Sequence, residues 1–159
     1  MDEKLEIDLA RLDKGGERFA GELDNAVLEM QNEKWIRPFA PLRYDVFVQV
    51  FGKELLVRGR LEQDFDAVCS RCGEDFDFTC KAEEFEVSEE VGEDVEFFDL
   101  TNRVRECIIL ALPNYPVCGE DCKGVCPTCG KNLNKGACEC GKDDADARWA
   151  ALDGFGAKE

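Results

Sequence analysis

The sequence predicts an α+β protein: an antiparallel β-sheet or meander with one main helix and a C-terminal cysteine-rich module. Three observations lead to this fold class. Segments within the first 90 residues alternate apolar and polar side chains, which is typical of half-buried strands. Residues 99–112 repeat apolar side chains with the period of a helix. Residues 117–141 hold six of the ten cysteines and few apolar side chains.

The first 41 residues predict short strands and a connection. Residues 4–9 alternate and predict a strand, and residues 19–23 predict a second one after the glycine turn at 15–16. Residues 26–35 are ambiguous between helix and strand. Two prolines within residues 38–41 predict a connection, because proline cannot donate to a ladder.

The middle of the chain predicts the centre of the sheet. Residues 43–51 are rich in aromatic and β-branched side chains and predict a central strand. Gly52 and Lys53 fit a two-residue hairpin turn with glycine first. Residues 54–63 would return as the partner strand, with Gly59 as a candidate bulge.

A cysteine pair is expected to cap the next hairpin, and one helix should follow. Residues 65–69 lead up to Cys69 and Cys72, and the alternating residues 76–85 lead away. The helix of residues 99–112 would bury Leu100, Val104, Cys107, Ile108 and Ala111 on one face and would end at Pro113. Cys80 and Cys107 lie on apolar faces and are expected in the core.

This order of elements predicts three regions. Residues 1–113 would form a mainly β domain that ends in the helix, residues 114–142 the cysteine-rich module, and residues 143–159 a tail. Within that tail, residues 144–152 predict a short terminal helix.

The net charge of −16 is concentrated in one segment. Residues 62–99 contain 15 acids and two bases, a sum of −13, whereas residues 101–142 contain six bases and four acids, a sum of +2. Such acidity disfavours generic binding to a phosphate backbone. The segment is either a solvated face with a flexible loop at residues 88–96 or a surface for a basic partner.

Several classes of protein are not expected. The chain has no histidine, which removes protease dyads, zincins and histidine general bases, and no other catalytic constellation is visible. We therefore predict that it is not an enzyme and has no small-molecule substrate. The longest apolar run, residues 107–112, is too short to span a membrane. The first four residues lack the features of a secretory signal, so a cytoplasmic location is expected.

Eight cysteines come in close pairs and predict metal binding. The pairs are Cys69/Cys72, Cys118/Cys122, Cys126/Cys129 and Cys138/Cys140. Two pairs are Cys-x-x-Cys motifs followed by glycine, the knuckle in which backbone N–H groups point at the sulfurs. A disulfide framework would need an oxidising compartment. Eight thiolates supply two tetrahedral zinc sites, which predicts a zinc-binding module with two structural ions; rubredoxin-like iron is the less favoured metal.

The spacing leaves the grouping of the pairs open. The favoured grouping places Cys69, Cys72, Cys118 and Cys122 on one ion and Cys126, Cys129, Cys138 and Cys140 on the other. The second of these sets is local, so its closure costs little loop entropy. One rival is a zinc ribbon that joins the two knuckles, and another is a single site within the cysteine-rich module that leaves Cys69 and Cys72 free. Without metal, residues 117–141 are expected to be unfolded.

These motifs resemble the YceD family, proteins implicated in the accumulation of bacterial large-subunit (23S) ribosomal RNA, with plastid relatives. The resemblance covers residues 43–152 and is carried by the Cys69-Ser70-Arg71-Cys72-Gly73 knuckle, residues 109–113 and 122–134, the Cys138/Cys140 pair, and the tail at 146–152.

The resemblance implies a non-enzymatic factor for ribosome biogenesis. Its partner would be a ribosomal protein or the pre-ribosomal large subunit and its rRNA, and family gene neighbourhoods imply ribosomal protein L32 as one candidate. Two alternatives remain from the residues: a rubredoxin-like or thiol-redox metal protein, and a zinc-ribbon regulator that binds nucleic acid.

Overall fold

The computed structural model describes residues 4–92 and 94–140 and confirms the α+β class. An antiparallel sheet and one α-helix dominate these residues, and a short 3-10 turn covers Asn25–Leu28. The strands and helix are β1 (Glu6–Asp8), β2 (Glu17–Leu23), β3 (Ile36–Pro38), β4 (Leu42–Phe51), β5 (Glu54–Val68), β6 (Asp75–Glu90), β7 (Phe97–Asp99) and α1 (Thr101–Ala111).

The described residues form two compact units. The first contains residues 4–70 and 74–118, and the second contains residues 71–73 and 119–140. The three-region division predicted from the sequence stays a prediction. The predicted terminal helix at residues 144–152 lies outside the described residues.

Strand β5 is the centre of the five-stranded sheet in the first unit. Along one edge it pairs first with β4 and then with β3, and along its other edge it pairs with β6 over its full length. Strand β2 lies outside β4, while β1 and β7 form a separate two-stranded sheet. All of these pairings are antiparallel.

The predicted central hairpin is confirmed. Gly52 and Lys53 form the turn between β4 and β5, and Gly52 has a φ of 62°, a conformation that favours glycine. The bulge predicted at Gly59 needs correction: Gly59 pairs in register with Val46 and Phe85, and the irregularity lies next to it, where Glu83 and Glu84 of β6 both oppose Arg60. A Cβ atom at Gly59 would lie 2.2 Å from the Asp45 carbonyl oxygen, so only glycine fits there.

The core lies between one face of the sheet and α1. Val104 and Ile108 of α1 are fully buried, and the sheet contributes alternate residues of β4, β5 and β6. Each such aliphatic side chain stabilises the fold by roughly 1.5–3 kcal/mol. Cys80 is buried and Cys107 is partly buried against the same core, which confirms their predicted environment. Ala111, predicted on the buried face, is exposed because it occupies the last turn.

Gln63 is the one fully buried polar residue among the described part of this core. Its side-chain Nε2 donates a hydrogen bond of 2.7 Å to the Ala40 carbonyl, and no described residue donates to its Oε1. The amide therefore fixes the connection between β3 and β4 against the central strand.

Helix α1 begins two residues later than predicted. Asp99 belongs to β7, and its Oδ1 accepts a hydrogen bond of 2.8 Å from the Thr101 N–H. This bond satisfies a backbone donor at the start of the helix. The helix ends at Ala111, two residues before Pro113, as the proline predicts.

Two further predictions along the chain need correction, one ambiguous segment is resolved, and one strand was missed. Pro38 lies in β3, not in a connection; an edge strand tolerates the missing donor. Ser88–Glu90 continue β6 and pair with β5 instead of joining a flexible loop. In the ambiguous segment 26–35, the first three residues belong to the 3-10 turn Asn25–Leu28, and the rest is neither α-helix nor strand. The Asp24 side chain accepts a hydrogen bond from the Ala26 N–H and caps the start of this turn. Strand β7 was not predicted.

The second unit has little apolar burial. Its regular backbone pairing is one antiparallel bridge between Val125 and Asn132, and its buried described residues include Cys126 and Gly124. No helix in the described ranges is long and apolar enough to cross a membrane.

Candidate metal centre

The eight paired cysteines come together as two groups of four. The sulfurs within each group all lie within 4.8 Å of one another. The groups are the first quartet (Cys69, Cys72, Cys118 and Cys122) and the second quartet (Cys126, Cys129, Cys138 and Cys140). This is the grouping that the sequence favoured, and the ribbon that would join the two knuckles is not formed among the described residues.

The tip of the β5–β6 hairpin shapes the first quartet. The Cys69 N–H donates a hydrogen bond of 2.8 Å to the Glu74 carbonyl, which closes the turn. Gly73 within this turn adopts a φ of 73°. The chain after α1 is fixed to this tip by two bonds. The Ser70 N–H donates to the Pro116 carbonyl at 2.8 Å, and the Cys118 N–H donates to the Cys69 sulfur at 3.4 Å.

Two side chains of the second unit support Cys122. The Arg71 guanidinium donates to the carbonyls of Glu120 at 3.1 Å and Cys122 at 3.4 Å. Asn134 donates through Nδ2 to the Cys122 sulfur at 3.3 Å, and its Oδ1 accepts from the Lys123 N–H at 2.8 Å. N–H donors to a thiolate stabilise its negative charge. Asn134 is a site residue that the sequence did not reveal.

The second quartet is built on a similar knuckle. The Gly130 N–H donates a hydrogen bond of 2.9 Å to the Cys126 carbonyl, and the Cys126 N–H donates one of 2.8 Å to the Lys131 carbonyl. Gly130 has a φ of 72°. The glycines of both knuckles thus share one left-handed backbone conformation, as predicted. The Lys131 ammonium group donates a hydrogen bond of 2.7 Å to the Ala137 carbonyl and so holds the segment that carries Cys138.

The electrostatics of the second quartet favour a bound cation. Backbone N–H groups of Cys129 and Thr128 lower the pKa of the Cys126 thiol to about 6. Hydrogen bonding to the Cys129 sulfur and desolvation raise the pKa of Cys140 to about 12. Four adjacent thiolates repel one another, so full deprotonation requires a positive charge among them.

The donor set fits a tetrahedral thiolate-bound metal. A Zn–S distance of ~2.3 Å implies sulfur–sulfur separations of about 3.8 Å, which the spacing within each quartet accommodates. Both quartets consist only of soft sulfur ligands, the type that zinc and iron–sulfur chemistry select. The two quartets could therefore each hold a metal ion.

Comparisons with known proteins agree with these motifs. The family model described as "Large ribosomal RNA subunit accumulation protein YceD" matches residues 57–156, a range that contains all eight quartet cysteines. No solved structure matches the chain.

Relatives from plants and bacteria are also similar. The chloroplastic large ribosomal RNA subunit accumulation protein YCED homolog 1 of Arabidopsis thaliana is 34% identical over 59 residues, which cover 37% of this chain and 18% of the relative. Uncharacterised proteins of Mycobacterium bovis and Mycobacterium tuberculosis are 33% identical over 129 residues, covering 71% of this chain and 61% of each relative. The chain thus spans about a fifth of the plant relative and about three fifths of the mycobacterial ones. With the family model matched over more than half of its length, the chain belongs to the YceD family of large ribosomal RNA subunit accumulation proteins.

Proposed function

We propose that this protein is a non-enzymatic factor for the accumulation of large-subunit (23S) rRNA, and that two structural zinc ions shape its C-terminal module. The observation that carries this proposal is the family match over residues 57–156, which includes both cysteine quartets. The family description supplies the process, and the quartets supply the chemistry of the module.

Zinc in these quartets would act on folding. Four sulfurs complete a tetrahedral coordination shell and leave no position for a reacting water. A structural zinc ion contributes an apparent ~10–16 kcal/mol to folding, far more than the sparse apolar burial of residues 119–140 can supply. Thiolate ligands require reduced cysteines, which supports placing the protein in the cytoplasm.

In this proposal the protein consists of a β-sheet domain at residues 1–113, a zinc module at residues 114–142 and a tail at residues 143–159. Its partner would be a ribosomal protein, with L32 as one candidate, or the pre-ribosomal large subunit. The acidic segment at residues 62–99 supports a basic protein as the direct contact.

Metal content can be measured on the purified protein. Elemental analysis with native mass spectrometry should give two zinc ions per chain, and the protein should be colourless. Cys107→Ala, which removes a cysteine outside both quartets, should keep both ions, while Cys126→Ser should lose one. A red protein with stoichiometric iron would contradict the choice of zinc.

The biological role is tested by deletion and complementation. Loss of the gene should lower mature large-subunit rRNA and leave small-subunit rRNA largely unchanged. The wild-type protein and Cys107→Ala should restore the level, whereas a Cys126→Ser/Cys129→Ser variant should not. Equal loss of both rRNAs would count against the proposed function.

A further inference from the structure

The outer edge of β6 is long and has no strand partner among the described residues. Strand β6 has 16 residues and pairs with β5 on one side only, and no described residue forms a backbone hydrogen bond with its other side. At ~3.3 Å per residue this edge extends for about 50 Å, whereas a typical strand has about five or six residues. Unpaired N–H and C=O groups along an edge are a template for an added strand.

The side chains of this edge are strongly acidic. Strand β6 contains seven acids and one base, Lys81. Glu86 pairs with Arg58, and Glu89 pairs with Arg103. Five carboxylates have no ion-pair partner among the described residues: Asp75, Asp77, Glu83, Glu84 and Glu90. The edge therefore keeps a net negative charge that local cations do not neutralise.

The bulge divides the edge into two parts. Glu83 and Glu84 both oppose Arg60, and such an irregularity interrupts regular pairing. Beyond it, residues 85–90 pair with β5 in unbroken register. These six residues have the length of an ordinary strand partner.

A groove adjoins this second part. It has a volume of about 380 Å³ and lies between β6 and α1, with Glu84, Glu89, Glu106 and Leu110 among its lining residues. Leu110 is 84% exposed, so its apolar side chain is open to contact from outside. Arg103 also lines the groove and pairs with Glu89 and Glu106. Glu84 is therefore the lining carboxylate that has no ion-pair partner among the described residues, and it lies in the same groove as the uncovered side chain of Leu110.

We propose that the outer edge of β6 at residues 85–90, with the adjoining groove, binds an extended lysine- and arginine-rich segment of a partner protein as an added strand. Backbone hydrogen bonds would hold the segment, carboxylates would pair with its basic side chains, and Leu110 would receive an apolar one. This inference rests on the proposed function in that the partner belongs to large-subunit assembly. The docking mode itself follows from the charge of this edge and from its lack of a strand partner among the described residues.

Charge complementarity selects this occupant over two others. A second copy of β6 would place like charges opposite one another, which destabilises strand pairing. RNA would bring phosphates against the unpaired carboxylates, which repel them. A basic segment gains electrostatic attraction and steering at the same surface.

The test uses the full-length, zinc-loaded protein and a fluorescent 12-residue peptide of alternating lysine and valine. Fluorescence anisotropy should show saturable binding to the wild-type protein. The double variant Glu84→Lys/Glu90→Lys should weaken binding by about tenfold or more, because two carboxylates at the edge become cations. A matched control, Asp13→Lys/Glu22→Lys, makes the same change in net charge at exposed sites away from β6 and should bind within about twofold of wild type.

Two further measurements identify the mode of binding. A peptide with prolines at alternate positions lacks strand donors and should not bind. Hydrogen exchange should show that amides in residues 85–90 gain protection when the lysine–valine peptide is added. Equal weakening in both double variants, binding of the proline peptide, preference for single-stranded RNA over the peptide, or dimerisation through this edge would each overturn the proposal. Metal content and rescue of large-subunit rRNA would be unaffected by such a failure, so the two proposals are tested separately.

Discussion

Asn134 should link the metal affinities of the two quartets. Its position in the chain lies between Cys129 and Cys138, which belong to the second quartet, while its Nδ2 donates to the Cys122 sulfur of the first quartet. A metal ion in the second quartet would hold the segment that carries Asn134 in place. The first quartet would then bind its own metal more tightly.

The expected size of this effect follows from the hydrogen bonds that Asn134 makes. Asn134→Ala removes the bond to the Cys122 sulfur and the bond to the Lys123 N–H. Each exposed hydrogen bond contributes about 0.5–1.5 kcal/mol, and loss of a group that supports a metal ligand usually costs at least ~10-fold in affinity. We therefore expect the first quartet to lose about tenfold in zinc affinity, or ~1.4 kcal/mol.

A double-mutant cycle measures the link. Zinc competition with a chromophoric chelator gives the affinities, and ¹¹³Cd NMR of the cadmium-substituted protein assigns each one to a quartet. Cys140→Ser should weaken the first quartet by about tenfold in the wild-type background and by little in the Asn134→Ala background, because Asn134 carries the effect. Asn32→Ala, an exposed asparagine far along the chain, should change neither affinity. If the effects of Cys140→Ser and Asn134→Ala simply add, the coupling through Asn134 is wrong.

Three other predictions concern metal removal, two glycines and one carboxylate. Chelation of zinc should make residues 119–140 sensitive to limited proteolysis, while amides of β4 and β5 stay protected from exchange. Resistance of residues 119–140 to protease after chelation would contradict the structural role of the metal. Gly52→Ala and Gly124→Ala both force a side chain into a left-handed conformation, at about 1 kcal/mol or more each. Only Gly124→Ala should also weaken zinc binding, because its Cβ would lie 3.1 Å from the Arg71 carbonyl oxygen, whereas nothing surrounds Gly52 within 4 Å. The Arg18 guanidinium makes two hydrogen bonds to Asp45 and, together with Arg60, lowers the pKa of that carboxyl to about 2. The ionised Asp45 carboxylate therefore stabilises the folded protein above pH ~4, and this stabilisation is lost as the pH falls towards 2. Acid unfolding followed by circular dichroism should therefore show a shallower loss of stability in Asp45→Asn over that range, and an unchanged acid limb would refute the assignment.

Local patterns in the sequence predicted the central elements well. The alternation around Gly52 gave both strands of the β4–β5 hairpin, since side-chain period and turn chemistry are encoded within a few residues. The apolar repeat through Val104 and Ile108 gave α1 in the same way. The two cysteine knuckles were recognisable because the Cys-x-x-Cys spacing and the following glycine determine the local turn directly.

Features that depend on distant partners were missed. Strands β3 and β7 have three residues each, and their pairing is decided by β5 and β1, so no local pattern marks them. Strand β6 continues to Glu90 because the long β5 offers it a partner, although its acidic sequence resembles a loop. Asn134 lies 12 residues from the cysteine that it supports, and its role follows from the turn between them. The closely spaced polar residues around Asn132 gave only a weak signal for that turn.

The buried Gln63 has a consequence for how the sheet finds its alignment during folding. Strand β5 buries alternate residues over most of its length, so sliding it by two positions against a neighbour would still place apolar side chains inside. Such a shifted arrangement would leave the Gln63 amide away from the Ala40 carbonyl and would press a side chain against the Asp45 backbone where Gly59 now fits. The Gln63 amide and Gly59 therefore make the native register of β5 lower in free energy than registers shifted by two residues. Two residues are enough to disfavour these shifted registers.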